Sequence, residues 1–152
     1  MFETLSMETL EELTRSFPSR LVVMLYDEAI ASLETAVEAI GRDDIEGRFN
    51  ATARTAEIVS QLYLALDMEN GGAIAENLGG VYNYVLTQLP TINFRNDASV
   101  AGQIMGLLRP IRDSWFELDE RIQAAVADSE ADGAELAGAM VMSGALAGGS
   151  GR

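Results

Sequence analysis

The sequence contains no cysteine, no histidine and no lysine, and all ten of its basic residues are arginines. Without cysteine there is neither a disulfide framework nor a thiolate nucleophile. Without histidine, no side chain has an ordinary pKa near neutral pH, and without lysine no Schiff base can form. Because most acid–base and covalent catalysis is excluded, we expect a protein that is not an enzyme.

A hydrolase built on two carboxylates is still open, but no pair of acidic residues stands out by its spacing. A di-iron helical bundle would need Glu-x-x-His pairs, which a chain without histidine cannot supply. We therefore expect no catalytic residue, no cofactor and no metal ligand.

Positive charge is also scarce, because 24 acidic residues against 10 basic ones give a net charge of −14 and a pI near 4.2. Such a surface repels phosphate backbones and anionic lipid, so neither nucleic acid nor membrane is an expected partner. No segment approaches the roughly 20 apolar residues of a membrane span. Acidic residues such as Glu3, Glu8 and Glu11 stand where a signal peptide would be basic or apolar, so we expect a cytoplasmic protein.

Hydrophobic residues make up 48% of the chain, and they recur at steps of three and four in four segments. This spacing is typical of helices with one apolar face. We predict an all-α fold, an antiparallel four-helix bundle, over residues 18–122. A short acidic N-terminal arm, residues 1–17, precedes the bundle. An Ala/Gly-rich C-terminal tail, residues 123–152, follows it and is expected to be flexible and mostly disordered.

The second segment has the most regular pattern, which predicts one face packed in the bundle. Its members are Ile45, Phe49, Thr52, Ala56, Val59, Tyr63 and Leu66. Asp44 is expected to cap this helix, with Asp43 as the alternative. Gly41 is expected to end the preceding helix in the left-handed conformation, and Pro18 to occupy the first turn of that helix.

Proline and glycine mark the other boundaries. Pro90 is expected to end the third helix, with a loop over 91–96 and Asp97 as the cap of the fourth. Pro110 lies inside the fourth pattern and predicts a kink. A turn is expected at Asn70-Gly71-Gly72. The pair Gly79-Gly80 indicates either a close helix–helix approach or a shallow floor for a docked peptide, and the sequence leaves both open.

Four groups of residues, in this order and at these separations, resemble the flagellar export chaperone family FliS. They are Val23-Met24-Leu25-Tyr26-Asp27; Leu66-Asp67-Met68-Glu69; Gly71 to Leu78 with Tyr82 and Tyr84; and Leu107-Leu108-Arg109 with Arg112-Asp113-Ser114-Trp115. The resemblance covers roughly residues 18–120. It implies a helical bundle that binds the C-terminal segment of flagellin, prevents its premature polymerisation and presents it for type III export. It also implies contacts with the cytoplasmic domain of the export gate and with a flagellin-binding regulator.

Eight residues are candidates for flagellin binding: Met24, Tyr26, Asp27, Met68, Ile74, Leu78, Tyr82 and Tyr84. Tyr26 fits either a groove wall or a half-buried position with a satisfied hydroxyl. The two methionines fit either a groove lining or core filling. Trp115 is expected in the core.

Two other hypotheses remain beside the export chaperone. One is a helical adaptor or regulatory bundle that self-associates through the same apolar faces, and the other is a carboxylate enzyme. Separately, the small apolar patch in the tail could fold back and compete with flagellin. That patch consists of Leu136, Met140, Val141, Met142 and Leu146.

Overall fold

The computed structural model of the chain describes residues 18–150, with side chains described over 18–137. These residues form four helices, which are α1 (Ser19–Gly41), α2 (Ile45–Ala65), α3 (Gly72–Arg95) and α4 (Ala98–Ser150). No strand occurs in that range, and the all-α bundle is confirmed. The predicted arm, residues 1–17, lies outside the described residues. Two compact units, one ending at Leu118 and one beginning at Asp119, are described separately.

Polar contacts between the helices of the first unit show in which direction each helix runs relative to its neighbour. Arg54 of α2 contacts Glu28 of α1 at 2.6 Å, although only residues 42–44 connect the two helices. Near the start of α2, the Thr52 hydroxyl accepts a 2.8 Å hydrogen bond from Asn93, near the end of α3. Neighbouring helices therefore run antiparallel, as short connections require.

The core of the first unit is built mostly from aliphatic side chains on all four helices, with Trp115 buried among them as predicted. Each fully buried aliphatic side chain contributes about 1.5–3 kcal/mol relative to an exposed one. This burial is the main stabilisation of the bundle, and a chain without cysteine has no disulfide to add to it. The largest fully buried aliphatic residues are Leu33, Ile58, Leu78, Ile92, Ile104, Leu108 and Leu118.

The buried face of α2 differs from the face that the sequence predicted. Thr52 and Val59 are buried as expected, but Ile45 and Phe49 are exposed. The buried residues added by the structure are Ala51, Thr55, Ile58 and Leu62. The core face is therefore rotated around the helix, and part of the predicted stripe forms a second apolar edge that faces solvent.

The helix ends confirm one predicted cap and correct another. The Asp44 carboxylate accepts a 2.9 Å hydrogen bond from the Gly47 amide, so Asp44 caps α2. Gly41, however, is the last residue of α1, and Asp43 is the residue with positive φ, at 55°. The prediction of a left-handed Gly41 was wrong, because Asp tolerates this conformation in a turn.

Pro90 does not end α3, which continues to Arg95 and closes with Asn96 at φ 51° and ψ 47°. The predicted loop over 91–96 was therefore wrong. A proline inside a helix removes one backbone hydrogen bond, and Pro90 is exposed on the surface of α3. Asp97 caps α4 as predicted, since its carboxylate accepts a 2.9 Å hydrogen bond from the Ser99 amide.

The predicted turn before α3 is confirmed, and Gly72 there has φ +58°. The two adjacent glycines of α3 have different surroundings in the structure. A Cβ on Gly79 would lie 3.5 Å from the Met68 methyl carbon, in ordinary van der Waals contact, whereas a Cβ on Gly80 would meet no atom within 4 Å. Gly79 is thus covered by neighbouring side chains, and Gly80 faces open space.

The second unit is a helical stretch that continues α4 to Ser150. The sequence predicted a flexible tail from residue 123, and the described helix differs from that expectation. Alanine is the best helix former and accounts for helical geometry in a stretch rich in it. Nearly all side chains over residues 123–137 are exposed, so packing does not support this part of the helix, and flexibility in solution stays a prediction.

Candidate functional site

An open groove of about 310 Å³ lies between α2 and α3 in the first unit. Its wall on α2 is the second apolar edge of that helix, and its wall on α3 lies around the internal proline. The lining residues are Phe49, Thr52, Ala53, Ala56, Leu86, Leu89, Pro90 and Asn93.

The groove exists because small side chains stand where larger ones would close the gap. Ala53 and Ala56 fill little of the space between the helices, and Phe49 forms a wall that is 60% exposed. Pro90 has no N–H to donate to the carbonyl of Leu86, four residues earlier. The groove therefore combines apolar walls with a backbone acceptor that lacks its usual helical donor.

A chain of hydrogen bonds closes one end of the groove. The Thr52 hydroxyl donates to the Phe49 carbonyl at 2.9 Å and accepts from the Asn93 amide at 2.8 Å. The Asn93 side-chain oxygen accepts from Arg48 Nε at 3.1 Å, and the Asn96 side-chain oxygen accepts from the same guanidinium at 2.5 Å. This network fixes the amide of Asn93 and brings a positive charge close to the apolar groove.

Three of the eight candidate residues lie in the core. Tyr26 of α1, Leu78 of α3 and Tyr82 of α3 are at most 1% exposed. The two phenolic oxygens are 2.5 Å apart, and the rings lie 6.2 Å apart between centroids. Residues this buried cannot present a side chain to a partner at the surface, so any role in binding would be to support the helices that form the groove.

Burial determines the ionisation of this tyrosine pair. It raises the pKa of Tyr82 to about 12, because desolvation disfavours the phenolate. It raises the pKa of Tyr26 as well, chiefly by desolvation and by the charge of Tyr82, while a hydrogen bond with Trp115 acts in the opposite direction. Both hydroxyls are therefore neutral at physiological pH, and the hydrogen bond between them links α1 and α3.

The other five candidates are more accessible to solvent than the three in the core. Met24, Asp27, Met68 and Tyr84 are exposed and Ile74 is partly buried. Met68 lies against Gly79, close to the turn before α3. None of the eight candidates is among the groove-lining residues.

Asp27 belongs to a polar contact between α1 and α4. Its two carboxylate oxygens accept from Arg112 at 2.7 and 3.3 Å, and these bonds raise the pKa of the guanidinium. The same guanidinium lies 4.9 Å from the ring centroid of Phe116. Asp27 thus forms an ion pair between two helices at the surface of the bundle.

Sequence reasoning missed most of the groove because it assigned Phe49 and Ala56 to the packed stripe and Pro90 to a helix end. The available signal was the pair of small residues Ala53 and Ala56, one and two helical turns after the aromatic Phe49. Within residues 18–137, no group of three or more acidic side chains has the arrangement of a metal site. Among the four helices, over the part of the chain that the structure describes, none contains an apolar stretch that could span a membrane.

Comparison with known proteins gives a consistent result. The family described as "Flagellar protein FliS" matches residues 7–122 of this chain. The flagellar secretion chaperone FliS of Salmonella typhimurium is 32% identical over 105 residues, which cover 68% of this chain and 78% of that protein.

Two further relatives have the same description, flagellar secretion chaperone FliS. The protein of Campylobacter jejuni is 30% identical over 101 residues, covering 66% of this chain and 79% of the relative. The protein of Vibrio cholerae is 27% identical over 107 residues, covering 70% and 79%. In all three, the similarity spans more than three quarters of the relative.

Proposed function

This chain belongs to the FliS family, and from that premise we propose that it is a flagellar secretion chaperone which holds an unfolded export client in the groove between α2 and α3. The family match over residues 7–122 includes every groove-lining residue. A family of secretion chaperones is not a family of enzymes, in agreement with the missing catalytic side chains.

The observation that carries this proposal is the apolar groove itself. Its volume of about 310 Å³ accommodates a few side chains and not a whole segment. A client would therefore extend beyond it, along the exposed edge of α2 where Ile45 and Phe49 are 68% and 60% exposed. Covering this surface gains about 25 cal/mol per Å² of apolar area. For binding to occur, the total gain over the covered area must exceed the free energy that it costs to order the client, roughly 2–5 kcal/mol or more.

The client that we propose is the C-terminal segment of flagellin, bound as an amphipathic helix whose apolar face lies in the groove. Binding would cover the apolar side chains that flagellin otherwise uses to polymerise. Support comes from the FliS membership of the chain and from a groove whose walls suit aliphatic side chains. The same proposal places the complex in the cytoplasm, where the cytoplasmic domain of the export gate and a flagellin-binding regulator are its further partners.

The test introduces a charged side chain into the groove. We expect Ala53→Glu to weaken binding of flagellin by about tenfold or more, because a carboxylate at an apolar contact must be desolvated. Ala53 is exposed, so the melting temperature should hardly change. Binding is measured by titration calorimetry with flagellin and with flagellin that lacks its C-terminal segment.

Ala73→Glu is the matched control, because Ala73 is an exposed alanine outside the groove, in the first turn of α3. It adds the same charge and should leave the affinity unchanged. Equal affinities for the two variants would exclude the groove as the binding site. Binding that persists after deletion of the flagellin C-terminal segment would exclude that segment as the client.

A second candidate function is a self-associating adaptor bundle. It is favoured by the same exposed apolar edge, which a second copy could cover in place of a client. The two functions differ in whether a client is bound one-to-one by a monomer.

A further inference from the structure

The environment of Arg48 at the end of the groove distinguishes it from other arginines of the bundle. Arg54, Arg109 and Arg112 contact carboxylates at 2.6, 3.1 and 2.7 Å. Arg48 instead donates to the side-chain oxygens of Asn93 and Asn96, which are neutral. Among the described residues its hydrogen bonds thus orient the guanidinium without neutralising it.

The network around Arg48 leaves donor capacity for a ligand. A guanidinium has five N–H donors, and the two amides engage two of them. The amide of Asn93 cannot turn its oxygen away without losing its bond to Thr52. The guanidinium is therefore held in one orientation with further donors available, and it is bonded to a residue that lines the groove.

The charges around Arg48 favour this position over the rest of the surface for a carboxylate. Two carboxylates close in sequence to this network are engaged in caps, because Asp44 accepts from Gly47 and Asp97 accepts from Ser99. The whole chain has a net charge of −14, which repels a carboxylate over most of the surface. A positive group beside an apolar groove then favours one placement of a client that carries both apolar side chains and a carboxylate.

We infer that Arg48 binds a carboxylate of the segment lying in the α2–α3 groove and thereby fixes its register. This inference rests on the proposed function. The carboxylate is either an acidic side chain next to the apolar face of the segment or the terminal carboxylate of the client, since a guanidinium recognises both in the same bidentate manner. Asn93 and Asn96 act as positioning residues for the guanidinium.

The experiment measures binding of a peptide that spans the flagellin C-terminal segment, at one fixed salt concentration. Three forms are compared: unmodified, with an amidated C-terminus, and with its Asp and Glu residues replaced by Asn and Gln. The chaperone variants are Arg48→Gln, Arg48→Lys, and Arg42→Gln as a control that removes one positive charge from the exposed C-cap of α1.

We expect Arg48→Gln to weaken binding of the unmodified peptide about tenfold, because a hydrogen bond to a charged group is lost. Arg48→Lys should retain part of the affinity, and Arg42→Gln should change it by less than about twofold. One of the two neutralised peptides should bind the wild-type chain about tenfold more weakly and be insensitive to Arg48→Gln. The identity of that peptide tells the terminal carboxylate from a side chain.

Two results would overturn the inference while leaving the proposed function intact. One is an equal affinity of Arg48→Gln and Arg42→Gln for the unmodified peptide. The other is wild-type affinity for both neutralised peptides, a measurement that is valid even if Arg48→Gln fails to fold. If the unmodified peptide does not bind the wild-type chain at all, the proposed function itself is wrong.

Discussion

At the scale of single residues, the hydroxyls of Tyr26 and Tyr82 form a buried polar contact between α1 and α3. Each tyrosine lies in an apolar pattern and suits a groove wall as well as a core. The two partners are 56 residues apart in the chain, so no local pattern reveals that their hydroxyls meet. A buried hydroxyl needs such a partner, and only the tertiary arrangement supplies it.

The tyrosine pair predicts a loss of stability in alkaline solution. A tyrosine in the unfolded chain ionises near its ordinary pKa of 10.0, whereas the pKa of Tyr82 in the folded chain is about 12. Above pH 10 the unfolded state therefore binds fewer protons than the folded one. The stabilisation present below pH 10 is lost as the pH rises towards 12, by about 2–3 kcal/mol for such a shift.

The melting temperature measured at intervals between pH 8 and pH 12 checks this prediction. The double variant Tyr26→Phe/Tyr82→Phe is the control, because it removes both hydroxyls and leaves no single hydroxyl unpaired. Its melting temperature should fall less steeply above pH 10. An identical fall in the two proteins would show that other groups cause the alkaline loss.

At the scale of helices, the sequence predicted the existence and order of all four bundle helices but not their rotation or every end. Helix α2 has a core face and a second apolar edge, and the periodic pattern of Ile45, Phe49 and Thr52 runs across both. Periodicity reports apolar residues, and it cannot tell which of them a neighbouring helix covers. The end of α3 was also predicted too early. The expectation that a proline ends a helix considers only the local backbone, and it does not account for the packing that continues α3 past Pro90 to Arg95.

The exposed part of the second unit gives a prediction about helix content. Over residues 124–137 the side chains are exposed, Gly133 interrupts the alanines, and Asp128 and Asp132 are like charges four residues apart. Because isolated helices of this length are marginal in water, we expect this stretch to fray. Truncation after Gln123 should lower the total far-UV helical signal only slightly. The decrease should be much smaller than the decrease expected if residues 124–150 formed a complete helix.

Circular dichroism of the full chain and of the truncated chain, at equal molar concentration, measures this difference. The melting temperature of the bundle should be the same in both, because the core residues of the first unit end at Leu118. A decrease equal to that of a complete helix would instead show that the tail is stably helical.

Comparing flagellin affinity before and after the same truncation tests whether the tail patch competes with the client. Equal affinities would exclude this competition.

At the scale of the whole molecule, composition and pattern were sufficient for the fold class. Missing catalytic side chains, strong acidity and four apolar stripes together predicted an acidic helical bundle that is not an enzyme, and the resemblance to FliS added the binding of another chain. What they could not predict is the location of the groove, because a groove is an absence of packing between two particular helices. Small residues such as Ala53 and Ala56 create it only where α2 and α3 happen to lie side by side.

The net charge of −14 bears on whether the free chain is a monomer. Two copies that approach through the groove repel each other, and the repulsion is screened as ionic strength rises. The apolar edge around Phe49 favours association at the same time. We therefore expect a monomer at low salt and, if any dimer forms, an increase of it with sodium chloride.

Sedimentation velocity over a range of salt concentrations measures this balance and separates the two function classes. If the groove serves both a client and a second copy, Ala53→Glu should abolish any dimer together with client binding, and flagellin should dissociate the wild-type dimer into one-to-one complexes. Ala73→Glu adds the same repulsive charge outside the groove and should do neither. A dimer that persists at low salt, survives Ala53→Glu and is unaffected by flagellin would mean that self-association uses another surface, and would favour the adaptor over the chaperone.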